Sequence, residues 1–326
     1  MQPILSIVIV NWNSGEVLCR CLRSIYDTVR SSFEVIVVDN DSSDDSISMI
    51  RNHFPGVRLI ESGANLGFSK GNNLGTGYCT GKYLMLTNPD TILCECAADT
   101  LVAFLEDRPD VGIAGPQVVG PDGMVSFYNK RRLPNLVQDF SLLFLIEKFT
   151  NVIRARLTGL PFFRDKVPPY YWRTEECEGL DGSSFIIRRA LYEALGGFDE
   201  TTPMYLDDID LFYQCRKAGV KVYYVAEARV IHEGHHSTKK SQQHKMYDVL
   251  SLYSRLLYYK KNHGLGKGML YRGLIMMSVP YLLLLDLISL PVFLPMKHTR
   301  DRMPVIKKHI TYLRVALLGR GVAIKR

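Results

Sequence analysis

The sequence predicts an α/β fold, a mostly parallel sheet flanked by helices, followed by a C-terminal helical region of different composition. Three observations carry this. Short apolar runs recur about every 25 residues with helical patterns between them, which is the spacing of parallel βαβ units. The runs are apolar almost without interruption, as strands covered on both faces are. Charge also changes along the chain. Residues 255–326 hold 14 Lys/Arg against two acids, a surplus of 12, which leaves −5 on residues 1–254 out of the net +7.

The first strand is read at Leu5–Asn11, with a helix over residues 16–29. Residues 34–40 form the second strand, and Ser42-Ser43-Asp44-Asp45 caps the next helix. Residues 57–61 and Tyr83–Thr87 are the third and fourth strands. A helix over 95–107 leads to a strand at 111–116, and Asp122-Gly123 marks a hairpin turn. Residues 129–176 are less regular: Lys130-Arg131-Arg132, an apolar run at 140–146 and Pro161, Pro168 and Pro169 read as an insertion. A strand at 182–188 and a short helix at 190–195 follow. A helix then opens at Asp207-Asp208-Ile209-Asp210 and runs to about residue 218, with Leu211, Cys215 and Ala218 on its docked face. Strands at 220–225 and 229–231 end at His232. The α/β domain is placed at residues 1–240 and the helical region at 241–326.

Tyr83–Thr91 is the stretch on which function turns. Asn88-Pro89 ends the extended run, because proline cannot donate to a sheet ladder. Asp90 is left at the carboxyl end of a strand, where open α/β sheets take ligands. A carboxylate there, with Asn88 two residues before it, suits a hard divalent cation holding a diphosphate. An ordinary strand-ending turn is the alternative, since both dipeptides favour turns. The neighbouring strand ends share this character: Asn11-Trp12-Asn13, Asp39-Asn40-Asp41 and Asn65-Leu66-Gly67-Phe68. Asp39 can accept the imide N–H of a pyrimidine, and the Asn side chains can reach ribose or phosphate. Asn and Asp also simply make turns, but four such loops on one edge favour a nucleotide site. The chain has no P-loop, and the glycines at 63, 67, 71, 75 and 77 do not fit a dinucleotide fingerprint.

Asp207, Asp208 and Asp210 crowd the first turn of a helix, where the macrodipole alone would favour acids. The functional reading is that crowded like charges raise one pKa and give a base near neutral pH. His232, directly after a strand, is either part of a polar loop or a metal ligand through its neutral imidazole; His235 and His236 are weaker choices. An odd number of cysteines, seven, argues against a disulfide framework, and Cys19/Cys21 and Cys94/Cys96 read as structural thiols within helices. The start Met-Gln-Pro enters a strand almost at once, so no signal peptide is expected. A hydrophobic share of 47% with 22% charged residues is that of a globular protein.

Asn65-Leu66-Gly67-Phe68, Asn88-Pro89-Asp90, Gly182-Ser183-Ser184-Phe185, Asp207-Asp208-Ile209-Asp210 and His232, in this order, resemble glycosyltransferase family 2 over about residues 3–240. More narrowly, the chain resembles the bacterial rhamnosyltransferases of O-antigen and cell-wall assembly. The resemblance implies a glycosyltransferase-A (Rossmann-like) fold, an inverting mechanism, Mg2+ or Mn2+, and a nucleotide-diphosphate sugar, with dTDP-rhamnose as the expected donor. It places Asp39 at the base, and Asn11, Asn13, Asn40, Asn65, Gly67, Phe68, Asn72 and Asn88 along the nucleotide-sugar. Asp90 and His232 would hold the metal, Asp208 would be the base with Asp207 beside it, and Gly182, Ser183 and Asp210 would face the acceptor. Two departures stand out. Asn88 replaces the first acid of the family's Asp-x-Asp, which would weaken metal affinity although Asn-Pro-Asp also resembles the rhamnosyl subgroup, and Asp207 replaces a Glu. The Gln-x-x-Arg-Trp of processive synthases is missing, which argues against polymerisation.

Residues 273–296 are strongly apolar around Leu282–Leu285, but Asp286 and prolines at 280, 291 and 295 argue against one clean transmembrane helix. With Lys267 and Arg272 before it and Lys297, Arg300 and Arg302 after it, the segment reads as an interfacial or re-entrant helix on anionic lipid, followed by a basic amphipathic stretch at 305–318. Packing against the catalytic domain or a homodimer partner is the alternative. The expected setting is the inner face of a bacterial cell membrane, with a lipid-linked saccharide as acceptor and no nucleic acid as partner. A nucleotidyltransferase and a non-catalytic nucleotide-sugar binder are the competing classes; paired Asp90 and Asp207/Asp208 count against the binder, because binding alone needs no base.

Overall fold

The computed structural model describes residues 2–126, 129–146, 169–203, 205–234, 244–288, 312–313 and 317. His235, His236, Pro161, Pro168, residues 289–296 of the apolar run, the basic residues 297–302 and nearly all of the 305–318 stretch lie outside them. The chain divides into two compact units, residues 1–133, 167–202 and 207–241 forming one, and residues 134–166, 203–206 and 242–326 the other.

The first unit is built on one sheet with strand order β3-β2-β1-β4-β10-β6-β11-β5. Here β1 is Leu5–Asn11, β2 Phe33–Asp39, β3 Arg58–Glu61, β4 Tyr83–Thr87, β5 Thr91–Leu93, β6 Val111–Val119, β10 Ser184–Arg188 and β11 Lys221–His232. The pairs β1–β2, β2–β3, β1–β4 and β6–β11 are parallel, as continuous apolar strands with helical crossovers require. β10 is inserted antiparallel between β4 and β6. Helices α1 (Gly15–Thr28), α2 (Ser46–His53), α3 (Gly67–Thr76), α4 (Ala97–Asp107), α6 (Arg189–Leu195) and α7 (Asp207–Lys217) belong to the same unit. Leu18, Leu22 and Ile25 of α1 and Leu101 and Leu105 of α4 are fully buried with Ile7, Ile9, Val35 and Val37 of the sheet. α3 lies close on β1 and β2 because Gly71 and Gly75 carry no Cβ; one at Gly71 would sit 2.8 Å from the Val10 side chain. A small second sheet pairs β7 (Lys130–Arg131) with β9 (Gly179–Leu180), while β8 (Glu175–Glu176) adds to β11.

Four local expectations are corrected. Thr91–Leu93 is a strand, antiparallel to the end of β11, so Cys94 and Cys96 precede α4 instead of lying in it, and Cys96 takes a left-handed backbone. The two strands expected at 220–225 and 229–231 are one, because the register shift between Val225 and Arg229 interrupts pairing to β6 without ending the strand. Ala218 falls beyond the end of α7 and is exposed. Asp44 holds the start of α2 by accepting from the Ser46 amide at 3.2 Å, while the N-cap residue Asp45 makes no side-chain cap bond.

In the second unit, α5 (Leu136–Leu143) packs on α8 (His244–Ile288). α5 is capped by Asn135, whose Oδ1 accepts from the Gln138 amide at 2.9 Å. α8 is broken at Gly264, whose φ of 84° is outside helical space. Among the described residues, one helical segment, Leu250–Leu285, is long and apolar enough to cross a membrane.

Candidate active site

The carboxyl ends of β1, β2 and β4 gather the site, because parallel strands deliver their last residues to one edge. Asn11 and Asp39 are direct register partners at the ends of β1 and β2. Both are buried, and the Asn11 amide donates to Asp39 Oδ1 at 2.7 Å and to Ser42 Oγ at 3.1 Å. Asp39 Oδ2 accepts from the Ser42 amide at 2.9 Å, so the loop after β2 is wrapped around this carboxylate. Asn13 folds the same loop, accepting from the Ser43 amide at 2.7 Å. Asn40 donates to the Gly67 carbonyl at 3.0 Å, and the amide of Gly67, at φ +81°, donates to Asn65 Oδ1 at 3.0 Å. Phe68 packs edge-on to Phe198, with ring centroids 5.3 Å apart. Asn72 is buried on α3 and donates to the Phe68 carbonyl one turn earlier at 3.0 Å.

Asp90 and His232 meet because of β5. His232 is the register partner of Thr91, so the residue before Thr91 stands beside the imidazole. Asp90 Oδ1 lies 3.1 Å from His232 Nε2, and the Asp90 carbonyl accepts from the Glu233 amide at 3.0 Å. Burial by itself lowers the His232 pKa, but the Asp90 carboxylate outweighs it and, with Asp181 adding to the pull, the net shift is upward. Asn88 is held by its backbone, its amide donating to the Ser183 carbonyl at 2.8 Å.

The third group stands at the start of α7. Asp207, Asp208 and Asp210 are all buried. Asp207 Oδ2 accepts from Ser69 Oγ of α3 at 2.9 Å. Burial first, and the Asp208 charge second, push the Asp207 pKa up to about 6. Asp208 is also raised, by burial, against the pull of Arg131, whose Nη1 donates to Asp208 Oδ2 at 3.0 Å. The dominant cause is therefore desolvation, where the sequence suggested crowding of like charges. Gly182 lies flat against this carboxylate: a Cβ there would collide with Asp208 Oδ2. Ser183 donates its amide to Asp181 Oδ1 at 2.9 Å.

Sequence reasoning missed Arg131, Ser69 and Asp181. Arg131 was visible only as part of a basic run; its role at Asp208 follows from β7 pairing with β9, where Arg131 opposes Gly179. Asp181 stands three residues before the start of β10 and acts on both Asp208 and His232. Asn11 Oδ1, Asn40 Oδ1, Ser183 Oγ and Ser184 Oγ are buried without a hydrogen-bond partner. Native interiors rarely leave such atoms unsatisfied, and four near one strand edge mark a place for a polar ligand.

Asp90 and His232 offer one carboxylate oxygen and one imidazole nitrogen; among the described residues no cluster of three His, Cys, Asp or Glu is placed to hold a metal. This donor pair fits a substrate-borne Mg2+ or Mn2+, which takes few protein ligands and completes its shell with water and phosphate.

This architecture is that of a glycosyltransferase with a glycosyltransferase-A type fold. It is similar to the mannosyltransferase PcManGT from Pyrobaculum calidifontis, solved with GDP-Man and Mn2+, at a TM-score of 0.56 and 17% identity, over 98% of this chain and 88% of that one. It is also similar to GalNAc-T7, solved with UDP, GalNAc and Mn2+, at 0.53 and 16%, over 80% of this chain and 51% of that one. Residues 6–195 match the family model described as glycosyl transferase family 2, and residues 173–247 match a second, glycosyltransferase like family 2. The chain belongs to glycosyl transferase family 2. Among its relatives is the N-acetylglucosaminyl-diphospho-decaprenol L-rhamnosyltransferase of Mycobacterium tuberculosis, 29% identical over 73% of this chain and 78% of the relative. Another is the rhamnosyltransferase WbbL of Escherichia coli, 24% identical over 72% and 84%.

Proposed function

We propose that this glycosyltransferase moves L-rhamnose from dTDP-rhamnose to a lipid-linked saccharide, with inversion, at the inner face of a bacterial cell membrane. The single observation that carries the reading is the buried Asp208 carboxylate held by Arg131 in the unit that also pairs Asp90 with His232. The relatives named as rhamnosyltransferases, one of them acting on a diphospho-decaprenol substrate by its name, support the sugar and the acceptor class.

Asp39 and Asn11 would receive the base, with Asn40, Asn65 and Gly67 along the nucleotide. Asp90 and His232 would hold a divalent ion, which when bound neutralises charge on the leaving diphosphate. Asp208 takes the proton of the acceptor hydroxyl as that oxygen bonds to the anomeric carbon. The bond from that carbon to the diphosphate breaks on the opposite face, its electron pair leaving with the phosphate oxygen. Gly182 and Ser183 border the side from which the acceptor enters. Attachment to anionic lipid through the basic, apolar C-terminal region would bring the enzyme to its acceptor. The test is nucleoside-diphosphate release from dTDP-, UDP- and GDP-sugars with and without Mg2+ or Mn2+. Metal-dependent release from dTDP-rhamnose supports the proposal; release from a UDP-hexose alone would overturn the donor.

A further inference from the structure

α5 is built inside out for a helix in water. It buries Asp139, 1% exposed, alongside Leu143, and turns Val137 and Leu142 outward at 79% and 60% exposure, with Phe140 beside them. A soluble surface helix shows the opposite pattern. The inversion is held by polar bonds beneath it. Asp139 accepts from Arg255 and, at 2.5 Å, from Tyr259, both on α8, and Tyr281 of α8 donates to the Phe144 carbonyl at 3.1 Å. The buried carboxyl group is thus satisfied where it is, so rolling α5 to hide Leu142 and Val137 would take Asp139 from Arg255 and Tyr259.

The arm of α8 after Gly264 shows the same outward character, with Leu265, Met269, Met277 and Leu284 exposed. Along this arm residues 265–285 carry Lys267 and Arg272, and Asp286 follows near its end. Between the two helices runs an open groove of about 310 Å³ lined only by Leu136, Val137, Phe140, Leu270 and Leu274. Exposed apolar side chains on two helices, with Lys267 and Arg272 on the longer arm, match the acyl and headgroup layers of an anionic bilayer. A protein partner of ordinary interface composition would present a rim of mixed charge.

We propose that α5 is a membrane-inserting element: together with the α8 arm after Gly264 it forms one face that enters the acyl region just beneath the headgroups of the leaflet it faces, in an anionic bilayer. This deepens the membrane attachment proposed above, which rested on the C-terminal region alone, by adding a segment that precedes α8 by about 100 residues in sequence.

Flotation with vesicles tests it, using the full chain and phosphatidylglycerol mixed with phosphatidylcholine, against phosphatidylcholine alone. The wild type should float with the anionic vesicles. The pair Val137→Asp, Leu142→Asp should weaken that binding about tenfold or more. The pair Val137→Lys, Leu142→Lys should also weaken it, which separates lost insertion from charge repulsion. Met124→Asp, at an exposed apolar position in the first unit, should bind as the wild type does. Circular dichroism of each variant should match the wild type, since all these side chains are exposed. Unchanged flotation of both pairs, with the wild type bound, would overturn the role of α5 and leave C-terminal attachment standing. A wild type that floats with neither vesicle would sink both. Vesicle-independent dimers dispersed by the Asp pair would instead make this face a contact between copies of the chain, and overturn the proposal.

Discussion

Arg131 Nη1 donates to Asp208 Oδ2 at 3.0 Å, joining residues 77 positions apart in sequence. Burial pushes the Asp208 carboxyl upward and the guanidinium is the largest influence pulling it back, ahead of the Ile209 amide. Arg131→Met removes the lowering influence. The acidic limb of the kcat/KM profile should move to higher pH, and activity at neutral pH should fall about tenfold and partly recover at alkaline pH. Loss of activity with an unmoved limb would make Arg131 a structural residue.

Gly182 tests how closely the acceptor-side turn must approach the base. Gly182→Ala places a methyl group against the Asp208 carboxylate. The expected result is a loss of stability of about 1–3 kcal/mol and a fall in kcat greater than any change in KM for the donor. A variant with wild-type kcat would show that the turn yields without moving Asp208.

Asp207 makes stability depend on pH in an unusual direction. Its folded pKa is raised to about 6, so the folded chain holds this proton more tightly than the unfolded one does. The cost of ionising it is absent below about pH 4, grows as pH rises to about 6, and is complete above that. Asp207→Asn keeps an acceptor for Ser69 and removes the cost. Urea midpoints should show the variant more stable at pH 7, by on the order of 2 kcal/mol, and no more stable than the wild type near pH 4. An equal gain at both values would assign the effect to packing.

His232→Ala should raise the Mn2+ concentration for half-maximal activity by about ten- to a hundredfold while leaving the metal-free melting temperature within a few degrees. Mn2+ titration of donor turnover reads this directly. An unchanged midpoint would remove His232 from the metal site.

Much of the α/β unit was legible because its strands are apolar runs and its loops are Asn- and Asp-rich at one edge. Tyr83–Thr87 and Leu5–Asn11 fall where the pattern puts them. The meeting of Asp90 with His232 followed only from the family resemblance and not from the residue pattern, since it depends on β5, three residues long and paired with the end of β11. So short a strand has too few positions for alternation to register. Arg131 and Asp181 escaped for the same reason: each reaches its partner through pairing between distant segments, which one sequence does not print. The inverted polarity of α5 escaped because Asp139 reads as a solvent-facing acid until Arg255 and Tyr259 are seen beneath it.

The most direct test of the account is sugar transfer by Asp208→Asn, measured beside the wild type with dTDP-rhamnose, Mn2+ and membrane-extracted lipid-linked acceptor. Donor affinity by calorimetry should stay within about threefold of wild type, and kcat for transfer should fall by about 10²–10⁴. Near-normal transfer by the folded variant would contradict the assignment of Asp208 as the base.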